Sequence, residues 1–181
     1  MTIEIKLTQG KVAIIDDADF DLVSRHKWYA VTSQRHNTYY AIAHARRDDG
    51  SRTTIQMHRL ILGLTDPKIH TDHIDGDGLN NQRANLRECS NAENQWNTGA
   101  KINNTSGFKG VSWNKWRGKL VASIAVDGKQ KYLGYHDTKE AAYEAYCTAA
   151  AEFHGEFANT GTTPPKRWTK PAFEYITGAQ R

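Results

Sequence analysis

The sequence predicts an α+β chain, on three observations. Short runs alternating apolar and polar residues recur along it, as in Ile3-Glu4-Ile5-Lys6-Leu7 and across 119–126, which is the period-two pattern of half-buried strands. Ser90-Asn91-Ala92-Glu93 sets a serine three residues before a glutamate, the reciprocal pairing that opens a helix. Ala141, Ala142, Ala145, Tyr146, Ala149, Ala150 and Phe153 recur at helical spacing just after three strand-like runs, so one helix should cover one sheet. The expected order is a small α+β lead-in over 1–56, a strand-loop-strand-helix unit over 57–100 and a linker over 101–107. A three-stranded antiparallel sheet packed on one helix follows over 108–160, then a tail over 161–181.

In the lead-in, the strand over 3–7 turns at Thr8-Gln9-Gly10-Lys11 and a second strand runs over 12–15. Asp16-Asp17-Ala18-Asp19 starts a short helix through Val23, and 27–32 and 38–45 read as paired strands. The turn over 46–51 precedes a strand over 53–56, and Trp28, Tyr39 and Tyr40 read as packing residues. His58 and Arg59 begin a short apolar helix, Leu60-Ile61-Leu62-Gly63, with support expected of His58 and phosphate contact of Arg59.

The run over 68–73 reads as a strand halted by Gly76 and Gly78. Neighbouring strand residues face opposite ways. Asp72 and His73 therefore serve one site only where the strand ends or bulges, which the glycines permit. A second strand over 85–89 leads into the helix opened by Ser90, with Asn94 in its first turn and Gly99 as its stop.

Beyond Gly99, Lys101-Ile102-Asn103-Asn104-Thr105-Ser106-Gly107 is polar and turn-prone. Strands are expected over 108–113, 119–126 and 131–135, separated by 114–118 and by Asp127-Gly128, a hairpin signal. Leu120, Ala122, Ile124 and Val126 share one face of the middle strand; Lys119, Val121, Ser123 and Ala125 share the other. Asp137 is the expected N-cap of the final helix, with Glu140 three residues on, and Gly155 ends it. The tail carries Pro164-Pro165 and Pro171, with Lys166, Arg167, Trp168 and Lys170 either touching DNA or lying in a docked or frayed end.

The charge is uneven. Residues 1–100 carry 12 Lys and Arg against 13 Asp and Glu, whereas residues 101–181 carry 12 against 7. Lys101, Lys109, Lys115, Arg117, Lys119, Lys129 and Lys131 face a single acid, Asp127, and are interleaved with Trp113, Trp116 and Tyr132. A basic block is often only a solvated face; the aromatic interleaving favours a nucleic-acid surface. Cys89 and Cys147 are the two cysteines, too few for a disulfide framework, so a reducing compartment is expected. Met-Thr-Ile-Glu-Ile-Lys lacks a signal peptide's apolar core and no run approaches a membrane span. A cytoplasmic protein with no membrane contact is the expectation.

Chemistry concentrates in Asp72-His73-Ile74-Asp75-Gly76-Asp77-Gly78, with Asn85 and Asn94 behind it. Carboxylate and carboxamide both offer oxygen, which suits Mg²⁺ or Mn²⁺, and a neutral imidazole at His73 can take a proton from water. A calcium loop does not fit. Placing Gly78 sixth in an EF-hand would make His73 and Ala84 its first and last ligands.

With Met57-His58-Arg59, Asp72-His73-Ile74, Asn85-Leu86-Arg87 and Glu93-Asn94-Gln95, the chain resembles the HNH (ββα-metal) endonucleases, especially homing-type members of phages and introns. The resemblance implies His73 as general base, Asp72 and Asn94 as ligands of one divalent ion, and Asn85 pinning the loop and orienting the histidine. No zinc is expected, because the Cys-x-x-Cys pairs that brace many members are missing. Lys109-Gly110-Val111, Trp116, Gly118-Lys119, Tyr132-Leu133-Gly134 and Glu140-Ala141-Ala142 resemble the plant ethylene-response-factor (Apetala-two) DNA-binding domain. That likeness implies a sheet lying in the major groove. Candidate DNA contacts are Arg59, Arg83, Arg87, Lys109, Trp113, Lys115, Trp116, Arg117, Lys119, Lys131 and Tyr132. Lys109, Ser112, Asn114 and Ala125 stand where plant members carry base-reading arginines, and lysine lacks the bidentate fork for guanine. The resulting expectation is a DNA endonuclease in a bacterial host cell and possibly phage-encoded, acting on double-stranded DNA as a monomer that nicks or a homodimer that cuts both strands. The alternative is a non-enzymatic DNA-binding regulator with a decayed nuclease unit.

Overall fold

The computed structural model describes residues 1–33, 38–100 and 104–161. It is a mixed α+β chain of small antiparallel sheets and few helices, divided into units Met1–Asn94 and Gln95–Arg181. Lys101, and Lys166, Arg167, Trp168 and Lys170 of the tail, lie outside the described residues.

In the first unit β1 (Thr2–Lys6) pairs with β2 (Val12–Asp16), and a 3-10 turn at Asp17–Asp19 leads into α1 (Phe20–Val23). β3 (Trp28–Ser33), β4 (Thr38–Arg46) and β5 (Arg52–Gln56) form an antiparallel sheet in that order. α2 (Met57–Leu62) closes at Gly63, whose φ of 68° is the left-handed conformation that glycine adopts without strain. β6 (His70–His73) then pairs with β7 (Leu86–Cys89), and α3 (Asn91–Trp96) follows. Ser90 and Glu93 cap α3 reciprocally, Ser90 N donating to Glu93 Oε2 at 2.7 Å and Glu93 N to Ser90 Oγ at 3.2 Å. The helix stops at Trp96, short of Gly99.

The expected boundary at residue 56 is not a division of the fold. Ala13, Ile15, Val23, Trp28, Ala41 and Ala43 share one core with Met57, Ile61 and Leu86. An isolated two-stranded hairpin is marginal in water, so β6–β7 depends on Leu86 entering that core. The intervening loop is stitched down as well. Ile14 N donates to Leu79 O at 2.8 Å, Asn81 N to Ile14 O at 2.7 Å, and Gly78 N to Thr38 Oγ1 at 3.0 Å.

In the second unit β8 (Val111–Asn114), β9 (Lys119–Val126) and β10 (Lys129–His136) form an antiparallel sheet with β9 central, and α4 (Lys139–His154) packs on it. Leu120, Ala122 and Ile124 are buried against Ala142, Tyr143, Tyr146, Ala149 and Ala150. The helical stripe is therefore displaced from the expected one: Tyr143 and His154 are buried and Ala141 is exposed. The cap is Thr138 rather than Asp137, its Oγ1 accepting from Ala141 N at 3.2 Å. Asp127 and Gly128 take φ of 51° and 73°, the pair of positive values a two-residue hairpin turn needs. β8 begins later than expected because Gly110 turns the chain at φ 74°, with the Tyr146 ring where a Cβ would stand. Residues 104–107 are part of this unit rather than linker: Ser106 is buried, its Oγ donating to Val111 O at 2.8 Å.

Candidate active site

His73 is the last residue of β6, and a turn begins at once, Gly76 N donating to His73 O at 2.9 Å. Asp72 and His73 are 4% and 5% exposed. Across the hairpin Asp72 stands opposite Arg87, whose Nε and Nη2 both donate to Asp72 Oδ2, at 2.8 and 2.7 Å. Cys89, two residues further on, is influenced by the charges of Asp72 and Glu93 and by a backbone hydrogen bond with Asn94, and burial pushes its thiol up to about 11. Cys89 thus lies within electrostatic reach of Asp72 and next to the opening turn of α3, where Asn94 sits half-buried.

The His73 ring enters a different setting. It meets His58 edge-on, with centroids 5.1 Å apart and planes at 89°, and Tyr40 at 5.7 Å; Tyr40 and His58 are also 5.7 Å apart. Burial pushes the His73 imidazole below its ordinary value, against the pull of Asn81, Asp75, Asp72 and Asp77. A neutral ring is the form that accepts a proton. Burial pushes His58 down to about 3, so at neutral pH two uncharged rings meet edge-on without repulsion.

Asn85 is spent on the loop: its Oδ1 accepts from Asp75 N at 3.0 Å and its Nδ2 donates to Asp75 Oδ1 and Asn80 O at 2.9 and 2.8 Å. These bonds tie Asn85 to the turn at Asp75 and Asn80, and none of them goes to the histidine. Gly78 is indispensable for space rather than for conformation. A Cβ there would lie 2.4 Å from Tyr39 O and 2.6 Å from the Tyr40 ring.

Three expected DNA contacts of this unit are held internally. The Arg59 guanidinium donates to Ile69 O, Leu64 O and Asp66 O at 2.5, 3.4 and 2.7 Å. Arg87 holds Asp72, and Arg83 makes a forked bond to buried Asp19, with 2.7 Å at its shortest. Arg83 keeps half its side chain in solvent.

In the second unit the expected contacts divide. Lys109 is half-buried: its Nζ donates to Trp96 O, Thr98 O and Asn159 O, each at 2.7 Å, and burial pushes its ammonium down to about 8. Lys131 pairs with Ile124 on the helix-facing side, and its Nζ sits 3.8 Å over the Phe153 ring of α4. Trp113 pairs with Leu120 on that side too, although at the sheet's end it is 55% exposed. The face away from α4 carries Tyr132 and Tyr135, edge-on at 5.2 Å, with Arg117 over the Tyr135 ring. An extra residue at Leu133 shifts the register between Tyr132 and Gly134. Such a bulge is what turns two tyrosines three positions apart to one face. Lys119 ion-pairs with Asp137, Lys115 is exposed, and Trp116 is 98% exposed at the turn before β9.

Among the described residues no three His, Cys, Asp or Glu side chains gather as a metal site. A hard divalent ion still fits the donor chemistry of Asp72 and Asn94, which offer oxygen alone; water and phosphate would complete its shell. Sequence reasoning missed Tyr40 and Asn81. Nothing in three asparagines within six residues tells which one lies inward. No helix of the described residues is long and apolar enough to cross a membrane.

No protein-family model and no solved structure matches the chain. Two curated relatives do. Protein 3.8 of Escherichia phage T7 is 37% identical over 107 residues, 59% of this chain and 88% of that protein. An uncharacterized HNH endonuclease of Acanthamoeba polyphaga mimivirus is 30% identical over 155 residues, 83% of this chain and 74% of that protein. The second match spans the hairpin that carries Asp72 and His73 on any placement of its 155 residues, and the chain belongs to the HNH endonuclease family.

Proposed function

We propose that the chain is a divalent-cation-dependent DNA endonuclease in which a ββα-metal unit cleaves and the C-terminal sheet, of ethylene-response-factor type, holds the duplex. The observation carrying this reading is the adjacency of two buried groups, Asp72 and His73, at the end of β6. Asp72 and Asn94 would hold Mg²⁺ or Mn²⁺; when bound, the ion supplies Lewis-acid stabilisation of phosphate charge and of the leaving 3′-oxygen. His73, kept neutral by burial, takes the proton of the attacking water. Asn85 keeps the turn shut beneath it. The aromatic rings of Tyr40 and His58 exclude water from the back of the imidazole.

General-base action accounts for roughly 10²–10⁴-fold, about 3–5 kcal/mol, so bound phosphate and positioning supply most of the acceleration. In the second unit, Trp116, Arg117, Tyr132 and Tyr135 form the duplex-facing surface, with Lys115 and Lys119 anchoring phosphates.

Nicking of supercoiled plasmid with Mg²⁺, Mn²⁺ or EDTA tests this. His73→Ala and Asp72→Ala should abolish cutting and leave binding intact; equal nicking by wild type and both variants overturns it. One observation favours the non-enzymatic DNA-binding regulator instead: Arg87 already occupies Asp72 Oδ2. Binding without cutting by the wild type at millimolar Mn²⁺ would decide for that alternative.

A further inference from the structure

Trp116 stands in the turn between β8 and β9 with 98% of its surface in solvent. Tryptophan is on average a well-buried residue, and this one is left bare on a turn that is itself held firmly. Asn114 Oδ1 accepts from both Trp116 N and Arg117 N, each at 3.0 Å. Asn114 pairs with Lys119 across the ladder, and Gly118 takes φ of 60° to close the turn. The indole is therefore carried on a fixed backbone and sits between two cations, Lys115 and Arg117. The Arg117 guanidinium is directed over the Tyr135 ring, 5.6 Å from its centroid.

The sheet face away from α4 has little with which to read base edges. Ser112 pairs with Val121, Tyr132 with Ser123 and Gln130 with Ala125, so the middle of that face is small side chains. Direct readout uses arginine, asparagine or glutamine in bidentate contact with a base. Here Gln130 Nε2 is given to Ser123 Oγ at 2.7 Å, Asn114 Oδ1 to the turn, and Arg117, the one arginine among the described residues of this unit, to Tyr135. What the unit does offer is a bare indole flanked by positive charge. A duplex presents phosphates along its backbone and hydrogen-bonding edges in its grooves; its apolar surface of ring size is the face of a base.

We infer that Trp116 is a wedge: on a bound duplex its indole enters between two stacked base pairs, while Lys115 and Arg117 hold the neighbouring phosphates. This rests on the reading that the second unit binds duplex DNA. Opening a step costs least at pyrimidine–purine steps, which unstack and kink readily. Site preference then comes from the deformability of the DNA at that step, in place of the base-edge contacts that the sheet lacks.

The test uses the full-length protein in EDTA, so that the DNA stays uncut, with two duplexes of about 30 base pairs. One carries a central thymine–adenine step with 2-aminopurine as the adenine; the other places the same base within an A-tract. 2-Aminopurine brightens when it loses its stacking neighbours. Wild type should brighten the first duplex on saturation and bind it about tenfold more tightly than the A-tract duplex, which is stiff. Trp116→Ala should abolish the brightening and weaken binding to the first duplex about 10- to 100-fold, the effect of removing one stacking ring. Its salt slope should equal that of wild type, because no charge is removed. Trp116→Phe should restore the brightening. The indole touches little of the protein, so urea unfolding should be the same for all three chains. Equal brightening by wild type and Trp116→Ala, or none by wild type at saturation, overturns the wedge and leaves duplex binding standing. A change in sedimentation of Trp116→Ala with unaltered DNA binding overturns it too, since the indole would then meet a second copy of the chain. Failure of wild type to bind either duplex overturns the reading beneath it.

Discussion

Replacing Lys109 with methionine separates two roles that one residue cannot hold together. Methionine preserves the length of the stem and withdraws the donor from Trp96 O, Thr98 O and Asn159 O. A hydrogen bond from a charged donor contributes about 1.5–3 kcal/mol. The variant leaves those carbonyl oxygens without their donor, and a buried polar group left unpaired costs about 1–3 kcal/mol, so Lys109→Met should destabilise the second unit by about 2 kcal/mol. Urea unfolding followed on the amides of α4 measures it. The loss should carry a pH signature. Between about 8 and 10.5 the unfolded chain holds a proton on this amine that the folded chain has released, so this group's contribution to stability rises through that window. The variant should lack that rise. A phosphate contact predicts the reverse: unchanged unfolding, and a log K against log salt slope shallower by about 0.9. That pair of results would refute the buried cage.

Other consequences are as direct. With Lys109 held by three carbonyls, Lys115, Arg117, Lys119 and the exposed Lys131 remain for phosphates, so binding to duplex DNA should fall with a salt slope near −3.6, not the roughly −4.5 of five contacts; a titration from low to moderate salt distinguishes them. Gly78→Ala drives a Cβ against Tyr39 O and the Tyr40 ring, and should cost about 1–3 kcal/mol of first-unit stability, read by thermal unfolding, with cleavage lost as the loop lifts from His73. Thr138→Ala should cost about 1 kcal/mol and Asp137→Ala much less, because Thr138 accepts from Ala141 N; a larger loss at Asp137 would contradict this cap.

Periodicity and turn chemistry act between residues close in sequence, and what they govern was legible. The capping box at Ser90 and Glu93, the Asp127-Gly128 turn and the alternation of Leu120, Ala122 and Ile124 all depend on neighbours within a few positions. The candidate acid, base and amides were legible as a spacing. What that spacing leaves open is which side chains spend their hydrogen bonds elsewhere. Arg59 on three carbonyls, Lys109 in its cage and Asn85 on the loop are each decided by partners brought in from outside their own element.

Local order along the chain was determined by the sequence itself, because helix caps, glycine turns and strand alternation are satisfied within a handful of residues. Tertiary structure alone decided that residues 1–56 share a core with the HNH hairpin and that Leu133 bulges to align Tyr132 with Tyr135. It also decided that Asn81 rather than Asn85 is the fully buried asparagine of the loop. The physical reason is common to all of these: burial and long-range hydrogen bonding depend on what the folded chain brings alongside, and no window of adjacent residues contains it.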